Sequence, residues 1–197
     1  MGQGKQAKAL RTTELQRLLN HVSHTRHPER DRVMVLSSFK AGLRAKEIAG
    51  LTWSMVTDTA GEIADAISLP NKPSKGKGGG RTIPLHSDLR AALASLKAIR
   101  GEKVRPHLPV IYSERADGYS ANAVAVWFFT RFREVGVEGA SSHSGRRTFI
   151  TATAKKITEA GGSLRDVQEL AGHSSLATTQ RYIQGDTAAK LKVIALI

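Results

Sequence analysis

Three short stretches put chemically capable side chains at close spacing. "GLRAKEIAGLTW" places Arg44 just past a glycine with Glu47 three residues on, "SSHSGRRTF" places His143 and Arg146 three apart, and "LAGHSSLATTQRYI" carries His173 and Tyr182. Taken singly, each has a plainer reading: a surface ion pair, a solvated helix start, a packed tyrosine. Together, two arginines, two histidines and a tyrosine are what metal-free cleavage of a phosphodiester by a phenolic nucleophile needs. The pentavalent transition state gains charge on its non-bridging oxygens. Planar guanidinium forks stabilise that charge bidentately, which Lys does less well. A free tyrosine has a pKa of about 10, so roughly one molecule in a thousand is ionised at pH 7, and a neighbouring base or cationic pocket must favour loss of its proton. His143 is the candidate base. The departing 5' oxygen needs a proton in turn, and Lys75 and Lys77, in the run "SKGKGGGR", are the candidates to deliver it.

These side chains need elements to position them. Thr13 with Gln16 forms a candidate capping box for a helix that carries Leu15, Leu18, Leu19 and Val22 at helical spacing. A second helix opens at Pro28, turns Val33, Leu36 and Phe39 inward and stops at Gly42; a short third one follows in "RAKEIAGL". Two stretches of strand character then flank the Lys/Gly run, which predicts a β-hairpin with a mobile, basic tip. Ser87 and Ser120 are expected to cap the next two helices. The last third reads as helix from "RRTFITATAKKITEA" to the Gly161-Gly162 break, another from Ser163, and a short one bearing Tyr182. If the first of these starts by His143, then His143 and Arg146 leave one face near a helix N-terminus, which suits an anion. Trp53, Trp127, Phe128 and Phe129 are assigned to the core. The fold class expected is mainly α with a small antiparallel β-sheet, an α+β chain.

Composition narrows the partners. The chain has 197 residues, with 30 Lys and Arg against 17 Asp and Glu, a formal net charge of +13 that favours a polyanion, nucleic acid first among them. Zero Cys excludes a disulfide framework and thiolate zinc sites, and fits a reducing, cytoplasmic compartment. No apolar run approaches the ~18 residues of a membrane span, so no membrane partner is expected. His21, His24 and His27 recur at threes but lack Cys or arranged carboxylates, so no metal is assigned to them. The "GKGGGR" run is not a phosphate loop, because its Lys precedes the glycines.

The same blocks carry a resemblance to the catalytic domain of the tyrosine recombinases, the phage-integrase family of site-specific DNA recombinases. "GLRAKEIAGLTW" is similar to the family's first arginine box, "SSHSGRRTF" to its His-x-x-Arg box, "LAGHSSLATTQRYI" to the box ending in the nucleophile, and "SKGKGGGRTIPL" to the hairpin bearing the catalytic lysine. The resemblance implies that Tyr182 attacks the scissile phosphate to give a 3'-phosphotyrosyl link and a free 5' hydroxyl, with no metal, ATP or other cofactor. Arg44 and Arg146 would clamp the phosphate, His143 would act in proton transfer, His173 would donate to a non-bridging oxygen, and Glu47 would support the site from behind. Lys75 matches the lysine by its "SKG" context and Lys77 stands as the alternative, the Gly-rich loop differing by one residue from the common pattern. Residues 1–11 are expected as a basic flexible lead-in, 12–185 as the catalytic domain, and 186–197 as a helical segment that docks on a neighbouring protomer or packs on its own core. Many family members carry a helical DNA-binding domain ahead of the catalytic one, so the chain reads as a minimal recombinase of the short fimbrial-switch type or as a fragment. The resemblance further implies double-stranded DNA as the partner, a homo-tetramer on two DNA sites, a monomer or weak oligomer without DNA, and room for accessory DNA-bending proteins. The alternatives are a type IB topoisomerase-like strand cleavage and rejoining, or an inactive DNA-binding regulator with the same fold.

Overall fold

A computed structural model describes residues 7–70, 80–114, 116 and 118–182. In chain order these form helices α1 (Thr12–Val22), α2 (Pro28–Lys40) and α3 (Ala45–Ala49), strands β1 (Ala66–Leu69) and β2 (Arg81–Pro84), then helices α4 (Ser87–Arg100), α5 (Ala121–Glu134), α6 (Ser144–Lys156), α7 (Leu164–Ala171) and α8 (Leu176–Gln180). The α+β expectation holds: the two strands pair antiparallel, Ala66 opposite Pro84 through Leu69 opposite Arg81. The hairpin tip expected between them, with Lys75 and Lys77, lies outside the described residues, as do 1–6 of the lead-in and the segment 186–197.

Helix α2 is the hub, with α1, α3, α4 and α6 all packed on it. It can serve four neighbours because Val33, Met34, Val35, Leu36 and Phe39 are all buried, so apolar side chains face nearly every direction rather than one stripe. Proline at its start and Glu29 and Asp31 in its first turn suit the exposed N–H groups there. Most of the protein shares one core around α2, including Leu18, Val22, Trp53, Ile67, Ile83, Leu89, Leu93, Leu96, Phe128 and Phe132. A second, smaller cluster of Ile150, Val167 and Ala171 lies among α6 to α8, with Phe149, Leu164 and Tyr182 packed on it. Helix α6 therefore joins the two.

That junction depends on one glycine. At Gly145 a Cβ would lie 2.8 Å from Phe39 Cδ2 and closer still to Ser38 Oγ, so only hydrogen lets α6 approach α2 this closely. Gly145→Ala is expected to lower stability by about 1–3 kcal/mol through overpacking, outweighing the helix propensity gained. A urea midpoint equal to or above that of wild type would show that the helices do not meet this tightly.

Several local expectations shift. Helix α1 starts at Thr12, two residues early, and the carboxylate of Glu14 accepts the Arg11 N–H at 2.8 Å, so the anchor is Glu14 rather than a Thr13–Gln16 box. His86, not Ser87, caps α4, its Nδ1 accepting from the Asp88 N–H at 3.1 Å. Ser120 caps α5 as expected. Phe129 is 52% exposed and not in the core. Val124, Phe128 and Phe132, four apart, take the inward face of α5, and Phe129 falls about 100° round from it beneath the Arg133 guanidinium. Helix α6 ends at Lys156, with turns carrying the chain on to Gly161.

Candidate active site

The site is assembled where four chain segments end. Helix α2 stops and the turn at Gly42 sends the chain back, so that Arg44 becomes the residue capping α3. Glu47, in the first turn of α3, accepts the Arg44 N–H at 2.7 Å on Oε2 and Arg44 Nη1 at 3.1 Å on Oε1. The sequence spacing thus reports a real pairing, but one built into a helix start rather than an exposed surface pair. Glu47 Oε2 also accepts from Arg81 Nη2 at 2.8 Å, which ties β2 to α3.

Helix α6 begins directly after His143, which is exposed, and its first turn buries Arg146 to 4% exposure. Arg146 donates from Nη1 to the carbonyl of Gly42 and from Nη2 to that of Ala171, both at 2.6 Å. Ala171 ends α7, and its carbonyl accepts a second bond from Arg81 Nη1; Arg44 Nη2 reaches the neighbouring carbonyl of Gly172 at 3.3 Å. The C-terminus of a helix is an accumulation of unpaired carbonyls. Here guanidiniums fill that role, and the carbonyls in turn fix the direction of each fork.

Gly172 makes the ending possible. Its φ of 60° and ψ of 48° are left-handed, and a Cβ would stand 3.0 Å from Arg81 Cδ and nearer still to its Nη1. Reversing at Gly172, the chain presents His173, whose carbonyl accepts from Gln168 Nε2 at 2.9 Å and whose Nδ1 lies 2.9 Å from Thr179 Oγ1. Tyr182 sits in the turn after α8, not on the helix itself, and its N–H donates to the Thr179 carbonyl at 3.0 Å. Its ring stacks on His173 with centroids 5.5 Å apart and an interplanar angle of 24°, and the Arg147 guanidinium lies 5.8 Å from its centroid.

Arg44, His143, Arg146, Arg147, His173 and Tyr182 line one cleft of about 620 Å³. Of the residues singled out in the sequence, Arg44, Glu47, His143, Arg146, His173 and Tyr182 are brought together; Lys75 and Lys77 lie outside the described residues. Arg81 was missed. Its only signal was a charged residue opening a strand directly after the glycines, and its partners lie far away along the chain.

Three guanidiniums around one carboxylate, Arg44, Arg81 and Arg146 against Glu47, leave two positive charges uncompensated by Glu47. Burial pushes Arg146 down to about 10, helped by Arg44 and Arg81 and opposed by Glu47 and Tyr182, so it stays cationic at neutral pH. Burial likewise holds Arg81 below its ordinary value, with Glu47 opposing and Arg44 adding to the effect. His173 is pushed down to about 4, first by burial and then by Arg146, Arg44 and Arg81, so its imidazole is neutral at pH 7. An unfolded chain takes up a proton at this ring near pH 6.5 and the folded one does not until about pH 4. Stability contributed here is therefore full above pH 6.5 and is lost as pH falls toward 4. Urea midpoints at pH 7 and pH 5 should fall further for wild type than for His173→Gln; equal losses would mean that the ring is not held neutral.

The chain belongs to the phage integrase family, whose model matches residues 8–188. It is similar to tyrosine recombinase XerC of Xanthomonas campestris pv. campestris (strain B100), 32% identical over 167 residues, covering 83% of this chain and 47% of that protein. It is equally similar to tyrosine recombinase XerA of Thermococcus kodakarensis, 32% identical over 177 residues and covering 89% and 57%. The chain thus spans about half the length of these curated relatives. In fold it matches a crystal structure of XerA recombinase with a TM-score of 0.71 at 22% identity, covering 98% of this chain and 66% of that one. It also matches XerH site-specific recombinase bound to difH substrate in a pre-cleavage complex, with a TM-score of 0.73 at 20% identity, covering 100% and 56%. Among the described residues no helix is long and apolar enough to cross a membrane.

Proposed function

We propose that this chain is the catalytic part of a site-specific DNA recombinase that cuts and rejoins strands through a 3'-phosphotyrosyl intermediate. The observation that carries the reading is the convergence of Arg44, Arg146, both histidines and Tyr182 on one cleft rich in guanidinium charge. Tyr182 Oη attacks the scissile phosphorus, its proton passing to His143, while Arg44 and Arg146 and a donor on His173 hold the non-bridging oxygens. The P–O5' bond breaks and the 5' oxygen takes a proton from Lys75, with Lys77 the alternative. A 5' hydroxyl from another strand reverses the step and frees the tyrosine. One phosphate ester is exchanged for another at each stage, so the cycle needs no nucleotide cofactor.

The domain reading follows: 12–185 as the catalytic domain, 1–11 as a basic lead-in and 186–197 as a segment available to a neighbouring protomer. Strand exchange between two duplexes calls for four protomers, with accessory bending proteins where the sites must be brought together, and it takes place in the cytoplasm where the DNA lies. DNA-bound relatives, such as the XerH complex with difH, support DNA as the substrate.

The test is covalent capture on a nicked suicide duplex carrying a candidate site, in EDTA, read on a denaturing gel. A protein–DNA band whose linkage maps to a 3' phosphate is the expected result. No band from folded protein on a site that it binds would overturn the reading in favour of a DNA-binding regulator. Relaxation of supercoiled plasmid that lacks any site would move it to topoisomerase-like chemistry.

A further inference from the structure

His173 has two ring nitrogens and, being neutral, carries one proton. Which nitrogen holds it decides whether the ring offers the cleft a donor or a lone pair. Nδ1 faces Thr179 Oγ1 at 2.9 Å, and Thr179 is wholly buried. A threonine hydroxyl can either donate to Nδ1 or accept from it. If it accepted, its own hydrogen would need another acceptor, as Thr148 finds in the carbonyl of Ser144 and Thr57 in that of Trp53. Thr179 makes no such bond to a carbonyl among the described residues, and its hydroxyl hydrogen would be buried without a partner. Donation to Nδ1 satisfies both groups.

We propose that Thr179 is a positioning residue that donates its hydroxyl hydrogen to His173 Nδ1 and so fixes the proton on Nε2, where the ring can donate to a non-bridging oxygen of the scissile phosphate. The stack on Tyr182 and the bond from Gln168 to the His173 carbonyl hold the ring and the backbone behind it, while Thr179 selects the tautomer. The low proton affinity of His173 agrees, since an imidazolium would carry a proton on both nitrogens and would force the hydroxyl to accept. The catalytic part of this inference rests on the recombinase reading; the tautomer does not.

The experiment therefore reads both. In protein labelled with 15N-histidine, long-range proton–nitrogen correlations assign the protonated nitrogen of each ring, and His173→Gln identifies which signals belong to His173. Wild type and Thr179→Ser should show His173 protonated at Nε2. Thr179→Val, equal in shape but without the hydroxyl, should lower the Nε2-protonated fraction and with it the single-turnover cleavage rate, each by about tenfold, with duplex affinity unchanged. Thr179→Ser should restore the rate. A wild-type ring protonated at Nδ1 would overturn the proposal, and so would a Thr179→Val protein with unaltered tautomer and rate. Should the valine variant fail to fold, the wild-type and serine spectra still decide the tautomer. The expected tautomer in a wild-type protein that never cleaves would support the Thr179–His173 pairing and overturn the recombinase reading instead.

Discussion

Tyr182→Phe is expected to abolish the covalent protein–DNA adduct while leaving duplex affinity unchanged. The substitution removes one oxygen. The ring that remains keeps its place against the small cluster of Ile150, Val167 and Ala171 and its stack on His173, and the cationic face of Arg147 still has an aromatic plane to meet. The cleft therefore keeps its shape and its guanidiniums, which supply the attraction for phosphate. What is lost is the nucleophile, and removal of a covalent nucleophile lowers turnover by on the order of 10⁴-fold or more. Capture on the nicked duplex beside fluorescence anisotropy of the same duplex separates the two properties. A phenylalanine variant that still forms the adduct would assign the attack to another residue. Loss of binding along with capture would mean that the phenol holds the C-terminal helices in place rather than attacking phosphorus.

The seating of Tyr182 on a small cluster also explains what could be read from the sequence and what could not. Arg44 with Glu47 and His143 with Arg146 were legible because each pair is three residues apart and both members sit on one helix start, where spacing translates directly into space. The helix-breaking glycines were legible for the same local reason. Arg81 was not, because its value comes from meeting Glu47 and the end of α7, two partners that only the packing of β2 against α7 brings near it. Thr179 was hidden in a run of small hydroxyl residues that reads as a polar surface, and only the fold, by burying it against His173 Nδ1, distinguishes it from Thr178 beside it. Phe129 misled for the opposite reason: aromatic character suggested core, and the inward face of α5 was already filled at a spacing of four. Local periodicity fixes which face a helix offers; it is silent on which carbonyls another helix will aim at a distant guanidinium.

Arg146→Lys tests that last point, and it is expected to slow cleavage by about 10²–10³-fold. Charge is nominally conserved, so the loss must come from geometry and from acidity. The Arg146 fork spans the carbonyls of Gly42 and Ala171, one just past α2 and the other at the end of α7, and so joins the half of the site held by the large core to the half held by the small one. A single ammonium cannot bridge both carbonyls and still present a donor to phosphate. A lysine that keeps the Ala171 carbonyl, which also accepts from Arg81, leaves the buried Gly42 carbonyl without a partner among the described residues, at a cost of about 1–3 kcal/mol of stability. Acidity compounds the effect. Burial and the charges of Arg44 and Arg81 bring arginine down from its ordinary value to about 10, at which it remains charged. A lysine starts from about 10.4, and the same surroundings would move it much closer to neutral pH. The variant should accordingly recover part of its cleavage rate as pH is lowered from 8 to 6.5, where wild type gains nothing from this group. A single-turnover rate within about threefold of wild type, flat across that range, would show that the scissile phosphate does not depend on the Arg146 fork.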